Sequence, residues 1–238
     1  MMCNAVLASW KASLAPTTVY HRAGVLKRIL RTLETYGTSP GCAALLSKIK
    51  RGQARPTVAT QSQIEALLRH APAWQRLFIL LAWQLALRFA ETFAVTPHSF
   101  NATRHTLTIR TKGDKVRTIP TTADVETMLA AAGDTQGRET TPYIEILRGH
   151  KTSVHGIRAA WWRTCQKAGI TGLHPHDLRR TTASNLYATC KDLRAVQHFL
   201  GHDSLASTTY YLAPLTEEQL RDMHKLLNFH AREKETVQ

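Results

Sequence analysis

LHPHDLRRTT, residues 173–182, sets His174, His176, Arg179 and Arg180 within seven positions and runs on into a helix-forming stretch, TTASNLYATC. A folded chain has little structural need for that much imidazole and guanidinium at one helix start. A negatively charged partner at that end would account for it. On a helix, His176 and Arg179 are three apart and share a face, while Arg180 points elsewhere. A plainer account has His176 capping the helix and Arg179 paired with a carboxylate.

The rest of the chain points the same way. Its 238 residues suit one medium domain and a small one. Lys and Arg number 31 against 17 Asp and Glu, a formal charge of +14. Such an excess favours a polyanion, nucleic acid above all. It is unevenly spread. Residues 1–55 hold nine Lys and Arg and a single acid, Glu34, so they carry +8 and leave +6 for the other 183. A membrane is a poor alternative partner: the longest apolar run, LFILLAW at 77–83, is far short of the ~20 residues a spanning helix needs. No apolar run of the secretory kind follows Lys11. Cys3, Cys42, Cys165 and Cys190 are scattered, with no CxxC pair, and read as free thiols of a cytoplasmic protein.

Residues 17–36 predict a helix capped by Thr17 or Thr18, with Val19, Ala23, Leu26, Leu30 and Leu33 in one apolar stripe. Arg22, Lys27, Arg28 and Arg31 lie largely off that stripe. An earlier helix is expected over 4–14. GTSPG at 37–41 breaks the pattern, and KIKRGQARP at 48–56, with Lys50 and Arg51, reads as a basic linker. The expected division is a short helical DNA-binding domain, 1–54, and a second domain, 55–238. The second opens with a capping box, Thr60 with Gln63. Helices follow at 61–70 and 72–87, the latter a core helix. TLTIR (106–110) and VRTIP (116–120) form a hairpin closed by TKGDK. Helical spacing returns over 121–132, 153–168, 176–190 and 192–200, and in a last amphipathic helix, 216–231, capped by Thr216 and Gln219. Residues 133–151 show no clear element. The fold class is mainly α with a small β-hairpin.

Four places hold polar groups that a core or a neutral turn does not explain. Arg88 interrupts the apolar LALRFAETFAV; it must be paired or face a cleft, and Glu91 is placed to orient it. The hairpin tip carries Lys112 and Lys115. His176 and Arg179 share their helix face. In QHFLGHDSLASTTYYL, 197–212, Gly201 ends a helix, His202 follows, and Tyr210 and Tyr211 come eight and nine residues later. His174, His176, His198 and His202 lack metal-ligand spacing and have no partner Cys or Glu, so no metal site is expected. Together the groups describe a phosphate site. Two arginines offer forked donors to non-bridging oxygens. Two histidines and a lysine donate or move protons. A tyrosine is the one covalent nucleophile among them.

In order and spacing, these residues resemble the tyrosine recombinase, or phage integrase, family over residues 56–215. ALRFAE (86–91) is similar to the family's first arginine box and KGDKVRTIP (112–120) to its lysine hairpin. PHDLRRTTAS (175–184) and LGHDSLASTTYY (200–211) are similar to its later boxes. The usual interval after the histidine selects Tyr211; the TT pair is shifted by one, which keeps Tyr210 as a lesser candidate. SWKASLAPTTVYHRAGVLKRIL, 9–30, is similar to the last helices of the family's core-binding domain, so the N-terminal piece is either naturally short or truncated.

The resemblance implies a recombinase fold and a cofactor-free, metal-free transesterification of double-stranded DNA. Tyr211 is the nucleophile and His176 its base. Arg88 and Arg179 hold the phosphate, Lys112 protonates the leaving 5′-oxygen with Lys115 as substitute, and His202 donates to the phosphate. Arg22, Lys27, Arg28, Arg31, Lys50 and Arg51 grip the backbone. It further implies a homo-tetramer on two duplexes, a cytoplasmic setting in a bacterium, phage or mobile element, room for accessory proteins, and a C-terminal helix (216–238) that docks on a neighbour. A type IB topoisomerase and a non-catalytic DNA-binding protein are the competing classes.

Overall fold

A computed structural model describes residues 2–38, 41–49, 57–111, 114–151, 153–202 and 207–209. The chain divides into two compact units, Met1–Arg55 and Pro56–Gln238. Lys50, Arg51, Lys112, Tyr210, Tyr211 and the helix expected over 216–231 lie outside the described residues.

In the first unit, α1 (Met2–Ser13) and α2 (Pro16–Thr35) pack together. Neither Thr17 nor Thr18 caps α2. Ala15 holds the cap position without a side-chain bond, and Pro16 opens the helix, where its missing N–H has no partner to lose. Leu7, Leu30, Ala43 and Leu46 form a small buried cluster, with Trp10, Ala23 and Leu26 against it. Leu33, expected in the stripe, is 38% exposed. The loop that closes the cluster is pinned beside it instead, where Glu34 Oε1 accepts from the Ala43 N–H at 2.8 Å. The one acid of this basic segment thus serves as a clasp.

The second unit is built on α4 (Ala73–Trp83), whose apolar sequence AWQRLFILLAW is buried on nearly every side. α6 (Ala123–Ala130), α7 (Tyr143–Arg148) and α9 (Pro175–Cys190) pack on α4, and α3 (Gln61–His70) packs on α8 (Val154–Lys167). The Thr60–Gln63 capping box forms as expected, with bonds of 2.9 and 3.2 Å. The sheet is antiparallel, in the order β1 (Phe100–Asn101), β2 (Thr106–Arg110), β3 (Val116–Pro120). Leu107 pairs with Ile119, and Ile109 with Arg117. Leu107, Ile109 and Ile119 join Phe78, Leu81, Trp161 and Leu178 in one core. β1 and α7 occupy stretches where no element was expected. Each is too short, at 2 and 6 residues, to carry a readable period.

The expected helix 72–87 stops at Trp83. Ala86 adopts φ 49°, a left-handed conformation that costs a residue with a Cβ roughly 1–2 kcal/mol. The Leu87 N–H returns to the Leu81 carbonyl at 3.1 Å. A short helix, α5 (Phe89–Thr92), then begins with Arg88 at its cap position. Ending the helix early frees the carbonyls of Trp83 and Ala86, and both become acceptors for α9, from Thr182 and Arg179.

Candidate active site

Arg88 stands where α4 has ended and α5 begins. Glu91, one turn on, accepts from the Arg88 N–H at 2.8 Å and from Nη1 at 2.6 Å. Arg88 Nη2 donates to the Gly201 carbonyl at 3.0 Å, across 113 residues of chain. The Glu91 side chain is 6% exposed and that of Arg88 31%, so the carboxylate is an inner anchor and the guanidinium faces outward from it.

α9 supplies the second guanidinium. Trp161 Nε1 donates to the Leu173 carbonyl at 2.9 Å, which fixes the approach to the helix. His174 takes the cap position, and Asp177 Oδ2 accepts from its N–H at 2.8 Å. The cap is therefore His174 with Asp177, not His176. Asp177 also pairs with Arg180 at 2.9 Å, the residue expected to point away from the site. Arg179 is wholly buried. Its Nη1 donates to the Ala86 carbonyl and its Nη2 to the Leu200 carbonyl at 2.7 Å, and Glu91 lies 3.8 Å away. Burying a guanidinium is tolerable only with such a set of acceptors.

α10 (Leu193–Leu200), capped by Asp192, ends at Gly201 with φ 63°, as its position after the helix predicts. His202 follows. Its Nε2 faces Arg179 Nη2 at 3.0 Å and its Nδ1 faces Thr208 Oγ1 at 3.0 Å. His176 is half-buried on the α9 face toward these groups. Burial, then the charges of Arg180 and Arg179, bring its pKa from 6.5 to about 4. Burial, then Arg179 and Arg88, do the same to His202. Both imidazoles are therefore neutral at pH 7. Burial alone would raise the Glu91 pKa, but hydrogen bonds from Arg88 and the charges of Arg117 and Arg88 outweigh it and hold it below 4.5.

The structure thus brings Arg88, Glu91, His176, Arg179 and His202 together from three separate segments. Lys115 is exposed at the hairpin and lines a cavity of about 660 Å³ with Arg117, Arg194, His198 and His202. Arg22, Arg28 and Arg31 are exposed on α2 and Lys27 is half-exposed; Arg22 stacks over Trp10 at 5.7 Å. Two residues had not been anticipated. Arg117 bonds Glu91 at 3.2 Å and the Phe199 carbonyl at 2.6 Å. Its signal in the sequence is the strand alternation, which puts it on the same face as the buried Ile119. Thr208, wholly buried, is visible only as part of the TT pair. Among the described residues no group of three or more His, Cys, Asp and Glu side chains is placed to hold a metal ion, and no helix is long and apolar enough to cross a membrane.

Three guanidiniums, those of Arg88, Arg117 and Arg179, share one carboxylate. These four groups together carry a net charge of about +2, a balance that favours an anion over a cation.

Helices packed on α4 with a small antiparallel sheet joined to their core, and this pocket at the end of α10, define an integrase-type catalytic fold. Residues 57–218 match the phage integrase family, and the chain belongs to that family. It is 29% identical to the tyrosine recombinase XerC of Chlamydia pneumoniae over 168 residues, 66% of this chain and 54% of that one. It is likewise 29% identical to XerC of Shewanella amazonensis over 216 residues, 84% of this chain and 71% of the relative. Several XerC relatives are matched over only about half their length. Among solved structures, the fold follows that of the XerH site-specific recombinase bound to palindromic difH substrate in a post-cleavage complex. The TM-score is 0.73 at 18% identity, over 97% of this chain and 72% of that one.

Proposed function

We propose that the chain is a tyrosine-type site-specific recombinase that cuts and rejoins double-stranded DNA through a 3′-phosphotyrosyl intermediate. The observation that carries this reading is the pocket's charge: three guanidiniums on one carboxylate, with two neutral imidazoles beside them. The names of the XerC relatives support the activity.

Arg88 and Arg179 hold the non-bridging oxygens and stabilise the charge that builds as phosphorus becomes five-coordinate. The phenolic oxygen of Tyr211 attacks phosphorus, and its proton passes to His176. The imidazole is neutral at pH 7 and so able to accept it. As the new P–O bond forms, the bond to O5′ breaks. Lys112, or Lys115 in its place, gives O5′ a proton and frees a 5′-hydroxyl. A 5′-hydroxyl from another strand reverses every step, because the phosphotyrosine conserves the ester. One bond supports a nucleophile from this segment: His202 is tied to Thr208, and Tyr210 and Tyr211 follow Thr208 closely in the sequence.

In this reading the basic face of α2, with Lys50 and Arg51, grips the backbone from a DNA-binding domain spanning 1–54. The catalytic domain spans 55–238, four copies act on two duplexes, and the C-terminal helix docks on a neighbouring copy. The setting is the cytoplasm, where the DNA of a bacterium, phage or mobile element lies.

The test is to incubate the full chain with nicked duplexes of random sequence and to sequence the DNA that stays attached after denaturation. The reading predicts one recurring site and strand exchange between two duplexes that carry it. Relaxation of supercoiled DNA without exchange would indicate a topoisomerase. Salt-sensitive binding with no attached DNA would indicate a binding protein.

A further inference from the structure

Arg117 sits on the inward face of β3, two residues before the buried Ile119, where a strand over a core calls for an apolar side chain. Its side chain is 14% exposed. Nη1 donates to the Phe199 carbonyl at 2.6 Å and Nη2 to Glu91 Oε2 at 3.2 Å. Its stem lies on Gly201, where an added Cβ would come within 3.2 Å of Arg117 Cδ. One guanidinium therefore joins three elements: the hairpin, the α5 carboxylate that orients Arg88, and the turn that leads to His202.

The position of Arg117 along the ribbon gives this junction its consequence. Arg117 pairs with Ile109, and one pair further out Arg110 meets Val116. Beyond that the Thr111 N–H donates to the Lys115 carbonyl at 2.7 Å, and the tip begins. A two-stranded ribbon is stiff over so short a distance, so its direction is set at its root, where Leu107, Ile109 and Ile119 are buried and Arg117 is bonded. Arg117 bonds the ribbon into the pocket, through Glu91 and the end of α10, two residues from Lys115.

We infer that Arg117 is a positioning residue: it locks the root of the β2–β3 hairpin to Glu91 and to the end of α10, so that a tip lysine meets the leaving 5′-oxygen beside Arg88. This rests on the recombinase reading above. Arg117 touches no reacting atom in this account; it acts through the lysine.

The experiment compares two nicked duplexes carrying the trapped site. One has an ordinary scissile phosphodiester. The other has sulfur in place of the bridging 5′-oxygen. A thiolate is a far better leaving group than an alkoxide, so it departs without a proton. A defect in proton delivery then disappears, whereas a defect in phosphate binding or in the nucleophile persists. Arg117→Ala removes one of the pocket's three guanidiniums, so both duplexes are compared at concentrations that saturate the variant. It should form the adduct roughly 100-fold more slowly on the oxygen substrate, within the range of a lost general acid, and at the unmodified protein's rate on the sulfur substrate. Lys112→Ala should show the same pattern. Arg117→Lys, which keeps the charge but cannot span Glu91 and Phe199 together, should fall between, and it decides the matter if thermal melting shows Arg117→Ala to be unfolded. Equal losses on the two substrates, or no loss on either, overturn the assignment while leaving the recombinase reading intact. No adduct from the unmodified protein on either substrate removes that reading and this assignment with it.

Discussion

Arg179 Nη2 lies 3.0 Å from His202 Nε2, and because a guanidinium only donates, the imidazole nitrogen must accept. That fixes His202 as the neutral Nδ1–H tautomer, with Nδ1–H donating to Thr208 Oγ1 at 3.0 Å. A phosphate oxygen, however, only accepts. For His202 to donate to a bound phosphate, Nε2 must carry a proton and turn from Arg179 to the anion. An imidazolium pairs more strongly with the anion than the neutral Nε2–H tautomer, whose Nδ1 would accept from Thr208, so DNA binding near pH 6 should take up as much as about one proton per site; the tautomer switch alone would take up none. Calorimetry in buffers of different ionisation enthalpy measures this. His202→Gln should abolish the uptake and His176→Gln should retain it, since His176 must stay neutral to act as a base. Unchanged uptake in His202→Gln would contradict the assignment.

The same two histidines predict how the DNA-free protein responds to acid. Burial first, and neighbouring guanidiniums second, hold both at about 4 against an ordinary 6.5. Between those values the folded protein binds fewer protons than the unfolded chain, so stability rises with pH across that window. The contribution is complete above 6.5 and is lost as the pH falls toward 4. Urea midpoints measured from pH 7 down to 4 should fall steeply in the unmodified protein and less so in the His176→Gln, His202→Gln double variant. Parallel curves would show that the histidines are not held neutral.

Glu91 faces Arg88 at 2.6 Å, Arg117 at 3.2 Å and Arg179 at 3.8 Å. Removing one partner of a buried ion pair typically costs about 3–5 kcal/mol, and Glu91→Ala should lose stability of that order by chemical denaturation. Inorganic phosphate should then raise the melting temperature of Glu91→Ala more than that of the unmodified protein, because the anion meets guanidiniums that have lost their counter-charge. An equal rise in both would mean that the three arginines do not form one anion site.

On α2, Arg22, Arg28 and Arg31 are exposed. If each meets a backbone phosphate, replacing one by Gln lowers the slope of log affinity against log salt by about 0.9. Adduct yield at saturating DNA should not change. A slope that stays constant through all three replacements would make this face solvated surface.

Much of the site was legible in the sequence because its residues break local patterns. Arg88 interrupts an apolar run, Glu91 lies one turn away, and Gly201 ends an amphipathic helix. The strands alternate as they should. What could not be read is the early end of α4. No Gly or Pro marks it. Ala86 takes a left-handed conformation because tertiary contacts hold it there, with its carbonyl bonded to Arg179 from a segment 93 residues on. Arg117 is the opposite case. Its inward register is implied by the alternation with Ile119, yet a charged side chain in a short ribbon passes for surface until α10 is seen to cover it. Thr208 shows in the sequence only as half of the TT pair, since its role exists through His202.

The central claim is that a tyrosine side chain becomes covalently joined to DNA at this pocket. The most direct measurement is peptide mapping, by mass spectrometry, of the adduct trapped on a nicked duplex, for the unmodified chain, Tyr211→Phe and Tyr210→Phe. The account predicts a nucleotide mass on Tyr211, its loss in Tyr211→Phe with DNA affinity unchanged, and its persistence in Tyr210→Phe. Adduct that survives in Tyr211→Phe, or no adduct from the unmodified chain, would contradict it.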